Sequence, residues 1–315
     1  MTSLKIGDDV RAGRIFLAGS PGDIHSDVLK YFKNIHELAN TAVSFHIQNV
    51  SEFVAAKKVF TLAEDLPTMA PQFDVMWLEC LAPHDPLVEV GVLIWSRRIA
   101  DDEQEFAGAW INQSIEDGMT RVIVNEARWI MRMYLFAKVE YEGTFHPYVF
   151  DGVLNGTGMP CEIHGLGRGL ATTKIARCPV EVDLEDALVV STPALMAIAF
   201  MHCKNVSQSE VMPSRQERRE LARRQKPLVI YRTLQIEPMK RVLESEGGMS
   251  HNGLKKALHI CRGHFSEYTD EKPLFGKYAG RFWIPAHVRG TAEAGKIIKD
   301  YRVMAPSAVA EKAAS

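Results

Sequence analysis

The chain predicts an α+β protein with a mixed or mainly antiparallel sheet flanked by helices, and three observations lead there. Strand-like runs fill the middle: Phe73-Asp74-Val75-Met76-Trp77-Leu78-Glu79-Cys80, then Val88-Glu89-Val90-Gly91-Val92-Leu93-Ile94, then Trp129-Ile130-Met131-Arg132-Met133-Tyr134-Leu135-Phe136. Helical spacing of apolar residues brackets them, at Val28, Tyr31, Phe32, Ile35 and Leu38 before and over 184–203 after. A further strand, loop and strand close the chain over 258–285.

Taken in order, Arg14-Ile15-Phe16-Leu17-Ala18 is a short apolar run stopped by Gly19-Ser20-Pro21-Gly22. It lacks the Gly-Lys-Ser/Thr ending of a phosphate loop. Residues 23–65 read as helical, with a second helix over 50–66 that ends at Pro67. The run over 71–80 is apolar on both faces, which places it centrally in a sheet. Residues 87–96 follow as its neighbour across Ala82-Pro83-His84-Asp85-Pro86. Glu79, His84, Asp85 and Glu89 make an acid and histidine group here, although turn chemistry accounts for His84 and Asp85. Residues 121–141 supply one or two more strands.

Residues 152–169 have loop composition, and Gly165-Leu166-Gly167-Arg168-Gly169 lacks the spacing of a dinucleotide fingerprint. The helix over 184–203 is apolar almost all round, as expected for one buried between layers, with Pro193 dividing it or starting its second segment. The charge changes after Lys204-Asn205-Val206. That defines a scaffold domain over 1–206, a basic C-terminal module over 207–304 and a flexible tail over 305–315.

Composition narrows the classes. Of 315 residues, 46% are apolar and 24% charged, as in ordinary soluble globular proteins. No apolar run is long enough for a transmembrane helix and no signal core follows Met1, so no membrane is expected and the cytoplasm is the expected compartment. Five cysteines never occur as Cys-x-x-Cys, which argues against a disulfide framework and against a zinc cage. Neither metal nor cofactor is expected.

The net charge of −2 conceals a split: residues 212–304 hold nineteen Lys and Arg against ten Asp and Glu, leaving eighteen against twenty-nine elsewhere. A basic segment of this kind suits an anionic partner, RNA included, or attraction to the acidic remainder. Within it, Arg215 to Lys226 reads as a helix with Arg215, Arg219 and Arg223 on one side at four-residue spacing. Such a row suits phosphate contacts, and equally a solvated face. A strand over 227–236 follows.

The densest chemistry lies in 257–290, where three His, three Arg, two Tyr and one Trp are punctuated by glycines. Such residues are poor core material. With 258–265 as one strand, Arg262 and His264 share a face, while His259 and Cys261 take the other, so no single-strand metal site forms. Arg281 and Trp283 alternate with Phe282 and Ile284, and 268–280 is the loop between two strands. Arg262, His264, Tyr268 and Lys277, with Arg281, Trp283, His287 and Arg289, are the candidate binding residues beside Arg215, Arg219 and Arg223.

The segments His259-Ile260-Cys261-Arg262-Gly263-His264-Phe265, Pro273-Leu274-Phe275-Gly276-Lys277 and Pro285-Ala286-His287-Val288-Arg289-Gly290 resemble the C-terminal block of a large group of proteins encoded by phages, prophages and plasmids. A more distant resemblance reaches a type V-A anti-CRISPR family that lowers production of the effector nuclease. There an Arg-Gly-His-Trp block precedes a Trp-Pro element, and Phe265 stands here in place of the Trp. The resemblance covers about the last third of the chain. It implies a mobile-element protein in a bacterial host cytoplasm, with a host-interaction or counter-defence role exercised on a host protein, nascent polypeptide or RNA.

Two other functions fit the same residues. A metal-independent nuclease would use His264 and His287 as acid and base, aided by Arg262, Arg289 and Tyr268. A virion or morphogenesis component is compatible with the composition.

Overall fold

The computed structural model describes residues 4–14, 26–57, 66–83, 85–103, 105–108, 110, 126–139, 143–144, 148–163, 167–168, 170–173, 184–223, 228–236, 257–261, 263–274, 276–284, 287–289 and 291–296. Its helices include α1 (Lys5–Arg11), α2 (Ser26–Thr41), α3 (Gln48–Lys57), α4 (Leu184–Met201) and α5 (Arg215–Arg223). Strands β1 (Val43–His46), β2 (Val75–Leu81), β3 (Val88–Arg98), β4 (Trp129–Val139), β5 (Gly143–Thr144), β6 (Tyr148–Leu154), β9 (Leu170–Thr173), β10 (Val206–Val211) and β11 (Tyr231–Ile236) form a nine-stranded sheet. Between β6 and β9 lie β7 (Glu162–Ile163) and β8 (Gly167–Arg168), paired with each other. The protein is α+β.

The sheet runs β10-β11-β1-β2-β3-β4-β6-β9, with β5 on β4. Strands β11, β1 and β2 are parallel, and every other pairing in it is antiparallel. Parallel strands need cover on both faces, because their crossovers place helices there. Helix α1 meets β3, β4 and β5, and α2 meets β2; α3 also meets β2, and α4 meets β2, β3, β10 and β11.

Two-residue alternation separates the faces. Trp77, Leu93, Tyr134, Phe136, Val149 and Tyr231 join Ile6, Val10, Ile35 and Ala39 of α1 and α2 in one buried cluster. Phe45, Met76, Leu78, Val92, Ile94, Met133 and Phe150 take the other face, all buried. On that side Phe53 of α3 meets Phe200 of α4 edge to face, with ring centroids 6.0 Å apart.

A smaller cluster of Ile99, Ala107, Ala127, Ile130, Val153 and Cys161 lies at the far end of the first face. Between the two clusters sits an ion pair. Arg132 and Asp151, directly opposite each other on β4 and β6, are joined by two bonds of 2.6 Å.

Several expectations are corrected. The helical reading of 23–65 is interrupted by β1, whose four residues are held between β2 and β11. Helix α4 continues through Pro193 instead of breaking there. A boundary after Val206 does not exist, because β10 begins at that residue and pairs along its whole length with β11. The compact units are instead Met1–Glu237 with Glu267–Phe282, and Pro238–Ser266 with Trp283–Ser315. The tail over 305–315 lies outside the described residues.

In the second unit β12 (Ala257–Cys261) pairs antiparallel with β15 (His287–Arg289) and parallel with β16 (Thr291–Lys296). The expected ribbon is β13 (His264–Tyr268) paired with β14 (Gly280–Ile284) across the loop 269–279. The single strand expected over 258–265 is interrupted at Gly263, between β12 and β13, so the face assignment across that point does not hold.

Candidate functional site

Helix α5 lies in the connection from β10 to β11. Its start is written locally. The Ser214 amide donates to Glu217 Oε2 at 2.7 Å while the Glu217 amide donates to Ser214 Oγ at 3.2 Å, a reciprocal capping box. These bonds, those of Ser214 foremost, hold the Glu217 carboxyl below its ordinary range. Glu217 in the first turn and Arg223 in the last both match the helix dipole.

None of its residues is buried, and Arg215, Arg218, Arg219 and Arg223 are exposed. A helix that contributes nothing to a core relies on its cap and its charge pairs. Ser214→Ala is therefore expected to destabilise α5 by about 1 kcal/mol, roughly a fivefold loss of its amide protection in hydrogen exchange. The sheet amides should be unchanged.

The ribbon divides the remaining candidates. His264 and Lys277 are exposed, and Tyr268 is half-buried with its ring edge-to-face against Phe282. Arg281 donates to Glu267 Oε2 at 3.3 Å, and its side chain is 17% exposed. Trp283 is a correction to the expected outward surface. It is only 5% exposed and meets Phe265 edge to face at 4.7 Å. Alternation would have turned it away from buried Phe282, but both faces of β14 are covered at this point. Arg262 and the side chains of His287 and Arg289 lie outside the described residues.

Comparison of the chain with known protein families, with curated proteins and with solved structures gives no match. Among the described residues, no group of three or more His, Cys, Asp or Glu is placed to hold a metal ion, and no helix is long and apolar enough to cross a membrane. Cys80, Cys161 and Cys203 are buried free thiols, which burial pushes up to about 12, 11 and 12 respectively. They are poor nucleophiles at neutral pH.

A second polar centre was not expected from the residue pattern. Glu79, in the middle of β2, is fully buried. Its Oε2 accepts from Trp77 Nε1 at 2.7 Å and from the Tyr231 hydroxyl at 3.2 Å, and its Oε1 accepts from the Leu4 amide at 3.2 Å. Arg11, 7% exposed, donates to the Tyr231 hydroxyl and to Ser44 Oγ, each at 2.9 Å. Its guanidinium also lies over the Trp77 and Tyr231 rings, 5.4 and 5.5 Å from their centroids.

Glu89 completes the fastening by accepting from the Ile6 amide at 2.7 Å. Helix α1 has no side-chain cap of its own, so two carboxylates from the sheet serve its first amides. Of the acid and histidine group seen in sequence, Glu79 and Glu89 thus converge on α1, while His84 lies outside the described residues. The available signal was a Glu inside a strand otherwise apolar on both faces, since buried charge is the informative exception.

Proposed function

We propose that this protein binds RNA through the arginine face of α5, in a host-interaction role of the kind the phage and plasmid resemblance implies. Binding a transcript would lower production of a host defence protein. The observation that carries the reading is a locally capped helix that presents Arg215, Arg219 and Arg223 to solvent and buries nothing. Helical rise places successive members of that row about 6 Å apart, and guanidinium groups match phosphate oxygens with paired donors.

The test is the affinity of purified protein for labelled RNA as a function of salt. Contacts from three arginines to single-stranded RNA give a log–log slope of about −2, and changing all three to Ser should remove that contribution. Salt-insensitive binding, or binding unaffected by the substitutions, would exclude the phosphate role. A host complex that survives ribonuclease would favour a nascent polypeptide as the partner. RNA cleavage lost in His264→Ala would favour the nuclease.

A further inference from the structure

The polar centre beneath α1 joins five parts of the first unit: α1 and its N-cap through Leu4, Ile6 and Arg11, β1 through Ser44, β2 through Trp77 and Glu79, β3 through Glu89, and β11 through Tyr231. The seat is tight. A Cβ at Gly7 would lie 2.4 Å from Glu79 Oε2 and 2.9 Å from Arg11 Nη1. Glu79 has no route to water while α1 is in place, and lifting α1 removes both its cover and its Leu4 and Arg11 neighbours.

We propose that α1 is a proton-operated latch, whose seating on the sheet is coupled to proton uptake by Glu79, so that the helix is held firmly in mild acid and loosens as the carboxyl ionises. Burial pushes the Glu79 carboxyl up to about 7, against the opposing pull of the Trp77 bond, the Arg11 charge and the Leu4 and Tyr231 bonds. The sign follows from linkage. The seated state retains a proton that the solvated carboxyl, ordinarily at 4.5, has lost, so seating weakens as pH rises from about 4.5 to about 7 and changes no further above that.

Charged and titratable groups face Glu79 from β1, β3, β11 and α1 itself. On β1 His46 is the register partner of Glu79, and burial holds its imidazole below the ordinary value, toward the neutral form. On β11 Tyr231 is pushed upward by burial and by Glu79, so it stays a phenol. On α1 Arg11 donates to the Tyr231 hydroxyl and Ser44 Oγ. Glu89 on β3 is bound to the Ile6 amide, and on α1 Asp9 is engaged by Lys138 of β4 and by Arg14.

Hydrogen exchange on the full chain tests the latch. After correction for intrinsic exchange, protection of the α1 amides should fall about a hundredfold between pH 5 and pH 8, at about tenfold per unit below pH 7. The β4 amides should not share that slope, and Glu79→Gln should flatten it. A flat profile in the native chain, or the same slope in Glu79→Gln or in β4, would overturn the proposal. Should the variant not fold, the native chain still decides: the Trp77 Nε1–H resonance must titrate with a midpoint between about 6 and 8, and a midpoint under about 5 refutes the latch.

Discussion

Gly91→Ala is expected to destabilise the protein by about 3 kcal/mol or more, although it adds one methyl group. Gly91 stands opposite Glu79 on the neighbouring strand, and a Cβ there would lie 2.5 and 2.6 Å from Cη2 and Cζ2 of Trp77. The indole has no space to retreat into, being fully buried and tied to Glu79 by its Nε1. Displacing it strains packing, at about 1–3 kcal/mol, and loosens a bond to a buried carboxyl worth a similar amount. Denaturant titration should show the midpoint falling at constant slope. A loss below about 1 kcal/mol would mean that Trp77 has room to shift. Gly276→Ala is the matched control. Nothing lies within 4 Å of its added Cβ, so only the positive φ of 74° penalises it.

Arg132→Met carries the second large expectation, a loss of about 3 kcal/mol at neutral pH. Asp151 is fully buried and both its oxygens are held by the guanidinium at 2.6 Å, whereas the Arg132 side chain is 28% exposed. The loss therefore comes chiefly from stranding a carboxylate away from water without its bidentate partner. It does not measure the worth of the pair, because desolvation of both ions offsets much of their attraction. The double variant Arg132→Met/Asp151→Leu, which joins the two apolar clusters on that face, should recover most of the stability. A coupling energy near zero in that cycle would show that the ion pair is not what Arg132→Met removes. Trp110, over which the Arg132 guanidinium lies at 5.5 Å, gives a spectroscopic reporter of the same change.

Elements whose residue pattern matches their final environment were readable in advance. Strands β2, β3 and β4 carry long apolar runs because they occupy the middle of the sheet, and α4 is apolar almost all round and buried at every position over 191–201. The reading failed at short or polar elements. Strand β1, Val43-Ser44-Phe45-His46, continues a helical spacing and becomes a strand only through β2 and β11 on either side. Strand β10, Val206-Ser207-Gln208-Ser209-Glu210-Val211, carries little apolar signal, and pairing with β11 alone makes it one.

The chemistry divides along the same line. The arginine row of α5 and its Ser214 cap are local, determined by four-residue spacing that any helix would display. That the middle strands form a sheet, and that a basic helix leads into the β11 strand, were likewise determined by the amino-acid sequence alone. Tertiary structure alone decided that Glu79 is a buried fastening for α1, because its partners lie 75 and 152 positions away at Leu4 and Tyr231. It also decided that Trp283 turns inward. Periodicity states which residues share a face; whether that face meets water or another element depends on chain segments too distant for any local pattern to report.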